Sequence, residues 1–467
     1  MSDPHSLISR RRLLGGGLGL GAAAALGLGP VGRLLAQAGH TGLFHEGYGP
    51  LAPVKDANTG RELLQLPQGF SYTSFGWAGS PLSDGAPCPG KHDGMGVLGA
   101  RDGVVTLVRN HEVKYQVAGS FAPAAATYDP DCAGGTTTLR FDAREGRLLE
   151  SRPSLSGTLV NCAGGTTPWN TWLSCEEIVC EAGDTPRFRD GRSRRLQRSH
   201  GWVFEVPAEG LARPEPLPGL GQMKHEAATV DPATGIVYLT EDHEPLAGFY
   251  RFVPQRPGEL HRGGRLQMLQ ARGVPDLRKG RRVGEIFAVR WVDIHEPQRG
   301  RDADGGPGGL VAQGLANGGS AFIRLEGVII GDGRVFFTST SGGDADCGQL
   351  WAYRPGEETL ELVFESPAPD VLDYPDNIVL SPRGGLVICE DSEQAVQRLY
   401  GMAPGGGLFE FCRNNVVLDG TMGFSGDFRH EEWAGACFSP DGRWLFANIY
   451  EPGLTVAITG PWRAGLI

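Results

Sequence analysis

The chain has 467 residues, a formal net charge of −11 and 72 glycines. So acidic a protein has no electrostatic reason to bind nucleic acid, which excludes that class of partner. It does suit a chain that gathers carboxylates around cations, and abundant glycine among short apolar runs points to a turn-rich β protein.

Residues 1–38 read as an export signal. Ser9-Arg10-Arg11-Arg12-Leu13-Leu14 is the charged start, Gly15 to Gly29 the mildly apolar run, and Ala36-Gln37-Ala38 a small-x-small cleavage site. Paired arginines point to the twin-arginine export machinery, hence a periplasmic or extracellular protein. The run is glycine-rich and short against the roughly 20 residues of a membrane helix, so no stable span is expected. That route carries folded proteins, which fits a cofactor inserted before export. Residues 39–467 are expected to form a single β-propeller catalytic domain, all-β, with inserted loops and short helices.

The first mature motifs carry acids. HDGM at 92–95 places Asp93 beside a glycine turn, and RNHE at 109–112 places Glu112 just past the apolar strand VVTLV. NCAGGTTPWNTWLSCEE at 161–177 flanks a Gly-Gly turn with Cys162 and Cys175 and ends on Glu176 and Glu177. A disulfide, a core strand and a metal site are all open readings of that stretch. The charged run at 187–198 reads as a solvated surface segment.

Four later units share one pattern: HEAATVDPATGIVYLTED at 225–242, LEGVIIGDGRVFFTST at 325–340, DNIVLSPRGGLVICED at 376–391 and AGACFSPDGRWLFANI at 434–449. Each has a short apolar strand, a Pro/Asp/Gly turn and a second strand, and reads as a β-hairpin. The last three open 51 and then 58 residues apart. The first opens 100 residues before the second, which leaves room for a degenerate unit between them. The segment 300–319, with its GGPGG, reads as a surface loop. A period of this size in a strand-and-turn sequence means a β-propeller.

The openings carry the chemistry. Glu226, Glu326 and Asp376-Asn377 occupy equivalent places, and equivalent places in blades form a ring around the central channel. Singly, each reads as a solvated strand start. Together they would converge, at a cost of several kcal/mol in repulsion and desolvation unless cations are bound. Nine cysteines leave at least one unpaired in a monomer, and folding before export disfavours disulfides. Cys389 and Cys437 sit in apolar runs and are expected in the core, as is Cys175 in TWLSC. Oxygen ligands with a thiolate suggest more than one kind of metal. Zinc alone fits poorly without a CxxC pair or HExxH. No G-x-S-x-G elbow is present, so no serine nucleophile is expected.

HDGM, RNHE, NCAGGTTPWNTWLSCEE, KHE, LEGV, PDN and AGACFSPDG, in this order, resemble the PhoX-type alkaline phosphatases from about residue 60 to the C-terminus. The resemblance implies an exported propeller that hydrolyses phosphate monoesters with a metal-bound oxide or hydroxide nucleophile at a cluster of Fe3+ and Ca2+. It implies Cys162 as the iron thiolate, with Asp93, Glu226 and Glu326 as metal carboxylates and Cys162 and Glu326 also serving catalysis. Glu112, Glu177, Asp376, Asn377 and Asp391 would complete the ligands. Arg324 would grip the phosphate, with a surface ion pair as its other reading. Asn161 and His225 are expected at the substrate, His225 being equally readable as a structural histidine. A monomer is expected. A calcium-dependent lactonase-like hydrolase and a non-enzymatic binding propeller are the competing readings.

Overall fold

The computed structural model describes residues 43–114, 119–186, 195–392 and 394–467. The export segment and residues 187–194 of the charged run lie outside them. Among the described residues no helix is long and apolar enough to cross a membrane.

Six strands line a central channel: His92–Arg101, Asn161–Thr166, His225–Val230, Leu325–Gly331, Pro375–Leu380 and Trp433–Phe438. Each packs on the next, and the sixth packs back on the first, so the ring closes. Each also starts an antiparallel meander that runs outward as one blade. The chain is therefore a six-bladed β-propeller. The last blade is completed from the other end of the chain: Ser71–Phe75 pairs with Leu454–Thr459, Tyr72 opposite Ile458. Apolar residues fill the spaces between blades, as where Phe75, Met95, Phe141 and Phe446 meet.

Local chemistry explains the hairpins. Between Leu325–Gly331 and Arg334–Ser339 the turn is Asp332-Gly333, with φ of +49° and +70°. Both central residues are left-handed, the geometry that Asp-Gly supplies with a twist matching the strands.

Two expectations are corrected. No degenerate unit separates residues 242 and 325: that interval completes the third blade with Phe249–Pro254, Gly264–Ala271 and Ile286–Asp293. The additional blades lie upstream, where they open on HDGM and NCAGG. Nor is 300–319 only a surface loop, since Gly309–Ala316 is an α-helix that buries Leu310 and Val311 beside Leu220 and Met268. Its apolar side chains were masked by flanking glycines.

One device recurs in all six blades. The pairing of the inner strand with its neighbour slips near the strand's start: between 92 and 95, 161 and 164, 225 and 228, 325 and 328, 375 and 378, and 434 and 437. A bulge re-aims the side chain it carries. In five blades it carries Asp93, Cys162, Glu226, Glu326 and Asp376; in the sixth the slip comes one residue later, after Ala434, which still pairs with Asn448. Polar groups of the preceding blade hold four of the bulged carbonyls: Asn110 donates to the Cys162 oxygen (2.9 Å), Thr240 to Glu326 (2.5 Å), Thr338 to Asp376 (2.9 Å) and Asn448 to Asp93 (2.5 Å). Cys175 and Cys389 occupy the corresponding positions in the other two blades and are fully buried.

Such close approach leaves no room for side chains beside the bulges. A Cβ on Gly165 would stand 1.7 Å from the Ala228 carbonyl oxygen, and one on Gly435, at φ +61°, 2.5 Å from that of Asp93. Gly165→Ala must push two blades apart. It is expected to destabilise the chain by about 3 kcal/mol or more, read as a lower midpoint in urea unfolding.

Candidate metal centre

The bulges deliver their side chains to one buried cluster. The Cys162 Sγ lies 3.0 Å from Glu226 Oε1 and 3.6 Å from Asp93 Oδ2. Ligand atoms of Asp93, Glu112 and Cys162, of Cys162, Glu177 and Glu226, and of Glu226, Glu326 and Asp376 form three overlapping groups, each within 4.8 Å. They share members, so the cluster is continuous around most of the channel.

A second ring comes from the next strand of each blade. Glu112, Glu177, Asp242 and Asp391 each stand one residue past the strand partner of His92, Asn161, His225 or Pro375. Asp391 is hydrogen-bonded to Glu432 and acts electrostatically on Arg324 and Asp376. Asp242 and Glu432 escaped the sequence reading. Asp242 was detectable, because LTED ends its unit as ICED ends the unit of Asp391. Glu432 had no acidic counterpart in the other blades.

Three cations enter the cluster. Lys114 Nζ is 2.7 Å from Glu112, and Lys224 Nζ is 2.6 Å from Glu177 and 3.7 Å from Asp242. Arg324 bonds Asp242 through Nε at 3.1 Å and Glu326 through a terminal nitrogen at 2.6 Å. Its side chain is one-fifth exposed, so it links the buried acids to the solvent side. Three cations do not balance nine carboxyls and a thiol. The Glu226 Oε2 and Asp376 Oδ1 atoms are buried without a hydrogen-bond partner. Such orphans are costly unless a cation meets them.

The proton affinities carry the same message. Burial pushes Glu326 up to about 8, against the lowering pull of Arg324. Burial, then the charge of Glu112, holds Asp93 well above the carboxylate range, and burial, then Glu326, does the same to Glu226 and Asp376. Burial also raises the Cys162 thiol, reinforced by Asp93 and Glu226. At Asp242 burial raises, but Arg324 and Lys224 outweigh it and hold the carboxyl at about 2. Between the ordinary 4.5 of Glu326 and about 8, the folded chain keeps a proton that the unfolded chain has lost. Stability of the chelator-treated protein is therefore expected to fall as pH rises through that window. With cations bound the ligands are already ionised, and the slope should flatten. Urea midpoints across pH, with and without chelator, check this.

Not every expected residue reaches the cluster. Asn161 is buried in its blade, accepting from Thr158 at 2.6 Å and donating to Ser174 at 2.9 Å. His225 is fully buried, with Nε2 2.8 Å from the Gly221 carbonyl oxygen. Each precedes the bulged residue and points into the blade, so the structure does not bring either to the cluster. Asn377 lines a separate axial cavity of about 200 Å3, built by all six inner strands and lined by none of the carboxylates, and is not brought to the cluster. Cys162 and Cys175 are both free thiols, and no disulfide ties the loop.

The profile of alkaline phosphatase PhoX matches residues 46–154 and 145–453. The chain belongs to the PhoX family. Among solved structures it is similar to Pseudomonas fluorescens PhoX in complex with vanadate, a transition state analogue: 18% identity, 88% of this chain and 98% of that one covered, TM-score 0.62. A gluconolactonase from Xanthomonas campestris is more distant, at 12% identity over 88% of this chain and 98% of that one, with a TM-score of 0.40. No curated protein sequence matches. Family membership supports an alkaline phosphatase activity, and the PhoX structure shares the propeller.

Proposed function

We propose that this PhoX-family chain is an exported metal-dependent alkaline phosphatase acting on phosphate monoesters, with iron at Cys162 and calcium among the surrounding carboxylates. One observation carries the reading: a buried thiol lies 3.0 Å from Glu226 at the centre of a carboxylate ring. A site made only for calcium has no use for a thiolate, whereas sulfur with oxygen suits a transition metal beside a hard cation. Asp93, Cys162, Glu226, Glu326 and Asp376 would hold the ions, with Glu112, Glu177, Asp242 and Asp391 behind them.

Bound cations of this kind neutralise phosphoryl oxygens and activate water, which is what a very slow hydrolysis requires. The chain's own residues do the rest. Arg324 presents a planar fork to phosphate oxygens from the solvent side. Asp242 and Glu326 fix that fork in place. Lys224 and Lys114 offset ring charge that would repel an anionic substrate. The blade-to-blade hydrogen bonds hold the bulged backbone, so the ligands need not reorganise when the substrate arrives.

The test is a substrate panel run at alkaline pH with calcium. Turnover of p-nitrophenyl phosphate, abolished by a chelator and restored by metal, is the expected result. Turnover of lactones with none of phosphate esters would overturn the reading.

A further inference from the structure

We propose a second metal site, outside the channel, in which Asp129, Cys132 and His200 bind a zinc-class cation. His200 is fully buried. Its Nδ1 is 2.7 Å from Glu176 Oε1, also fully buried, and Glu176 is itself fixed by the N–H groups of Leu159, Gly201 and Trp202. A carboxylate on one ring nitrogen sets the tautomer and leaves the other nitrogen as a ligand.

That other nitrogen faces two more donors. His200 Nε2 is 3.6 Å from Cys132 Sγ and 3.7 Å from Asp129 Oδ2. Tetrahedral zinc, with bonds of about 2.0 to 2.3 Å, holds its ligand atoms roughly 3.3 to 3.7 Å apart. Asp129 is oriented in turn: Oδ2 accepts from the Gln197 and Arg198 backbones at 2.8 and 3.2 Å, and Oδ1 from Asp131 at 3.0 Å. Ligand atoms of Asp129, Cys132 and His200 all lie within 4.8 Å of one another. The backbone of His200 is held by its antiparallel partner Cys180, whose carbonyl accepts from the His200 N–H at 2.8 Å. Cys132 and Cys180 also share one buried cluster with Leu159, Val160 and Leu196.

One sulfur, one imidazole and one carboxylate match zinc better than calcium. The three residues come from two chain segments, and no CxxC pair announces them. All three are buried, so the role is structural: the metal ties the loop at 129–132 to the second blade. It does not depend on the phosphatase reading.

The test uses the full chain with Cys162→Ala, which removes the channel thiolate. Elemental analysis should find about one zinc per chain. Cobalt exchanged for zinc should give a near-ultraviolet thiolate-to-cobalt band, lost when Cys132→Ala is added. Should that variant not fold, peptide mapping of the wild-type protein serves: Cys132 should be protected from alkylation until zinc is chelated. Absence of zinc, a cobalt band unchanged by Cys132→Ala, or a Cys132–Cys180 disulfide would each overturn the site.

Discussion

Cys162→Ala is expected to remove transition metal from the protein and lower turnover by about a thousand-fold or more, while calcium is partly retained. The sulfur sits at the meeting point of two ligand groups, one with Asp93 and Glu112, the other with Glu177 and Glu226. No neighbouring side chain can replace a thiolate there, because the others in reach are carboxylates and Lys114. Folding should survive, since the carbonyl of Cys162 is still held by Asn110. Metal content and kcat of the purified variant decide the matter. Unchanged metal content would show that Cys162 is a core residue.

Arg324→Ala is expected to lower kcat/KM by about a hundred- to a thousand-fold with metal content intact. The guanidinium holds Asp242 and Glu326, and the side chain is one-fifth exposed to solvent. Arg324→Lys keeps the charge but loses the fork, so it should recover only part of the loss. The residue has φ of +42°, so the backbone is turned to aim this side chain. Full activity in Arg324→Lys would mean that charge alone matters, and unchanged kcat/KM in Arg324→Ala would make the arginine purely structural.

Much of this site was legible because the propeller repeats. HDG, NCA, HEA, LEG and PDN each place a ligand second and a small or short residue third. That pattern marks a bulge packed tightly against its neighbour; the repeat of unit openings singled out Glu226, Glu326 and Asp376, and the family resemblance added Asp93 and Cys162. The sixth blade breaks it with Ala434, so AGACFSPDG revealed a blade without a ligand. Asn161 and His225 adjoin the bulge and looked equivalent to their neighbours, but a one-residue shift along a strand reverses the face, and they lie outside the cluster. Lys224, Arg324 and Glu432 each stand one residue before the first paired residue of an inner strand, but that position changes from base to acid between blades, so no residue type marks it. The blade count was hidden by the outer strands and helix between residues 242 and 325.

The most direct measurement is elemental analysis of the purified protein together with its turnover of p-nitrophenyl phosphate in the same preparation. The account predicts iron and calcium bound to the chain, with activity that rises and falls with iron occupancy. Full turnover from protein that holds calcium but no iron or other transition metal would contradict it.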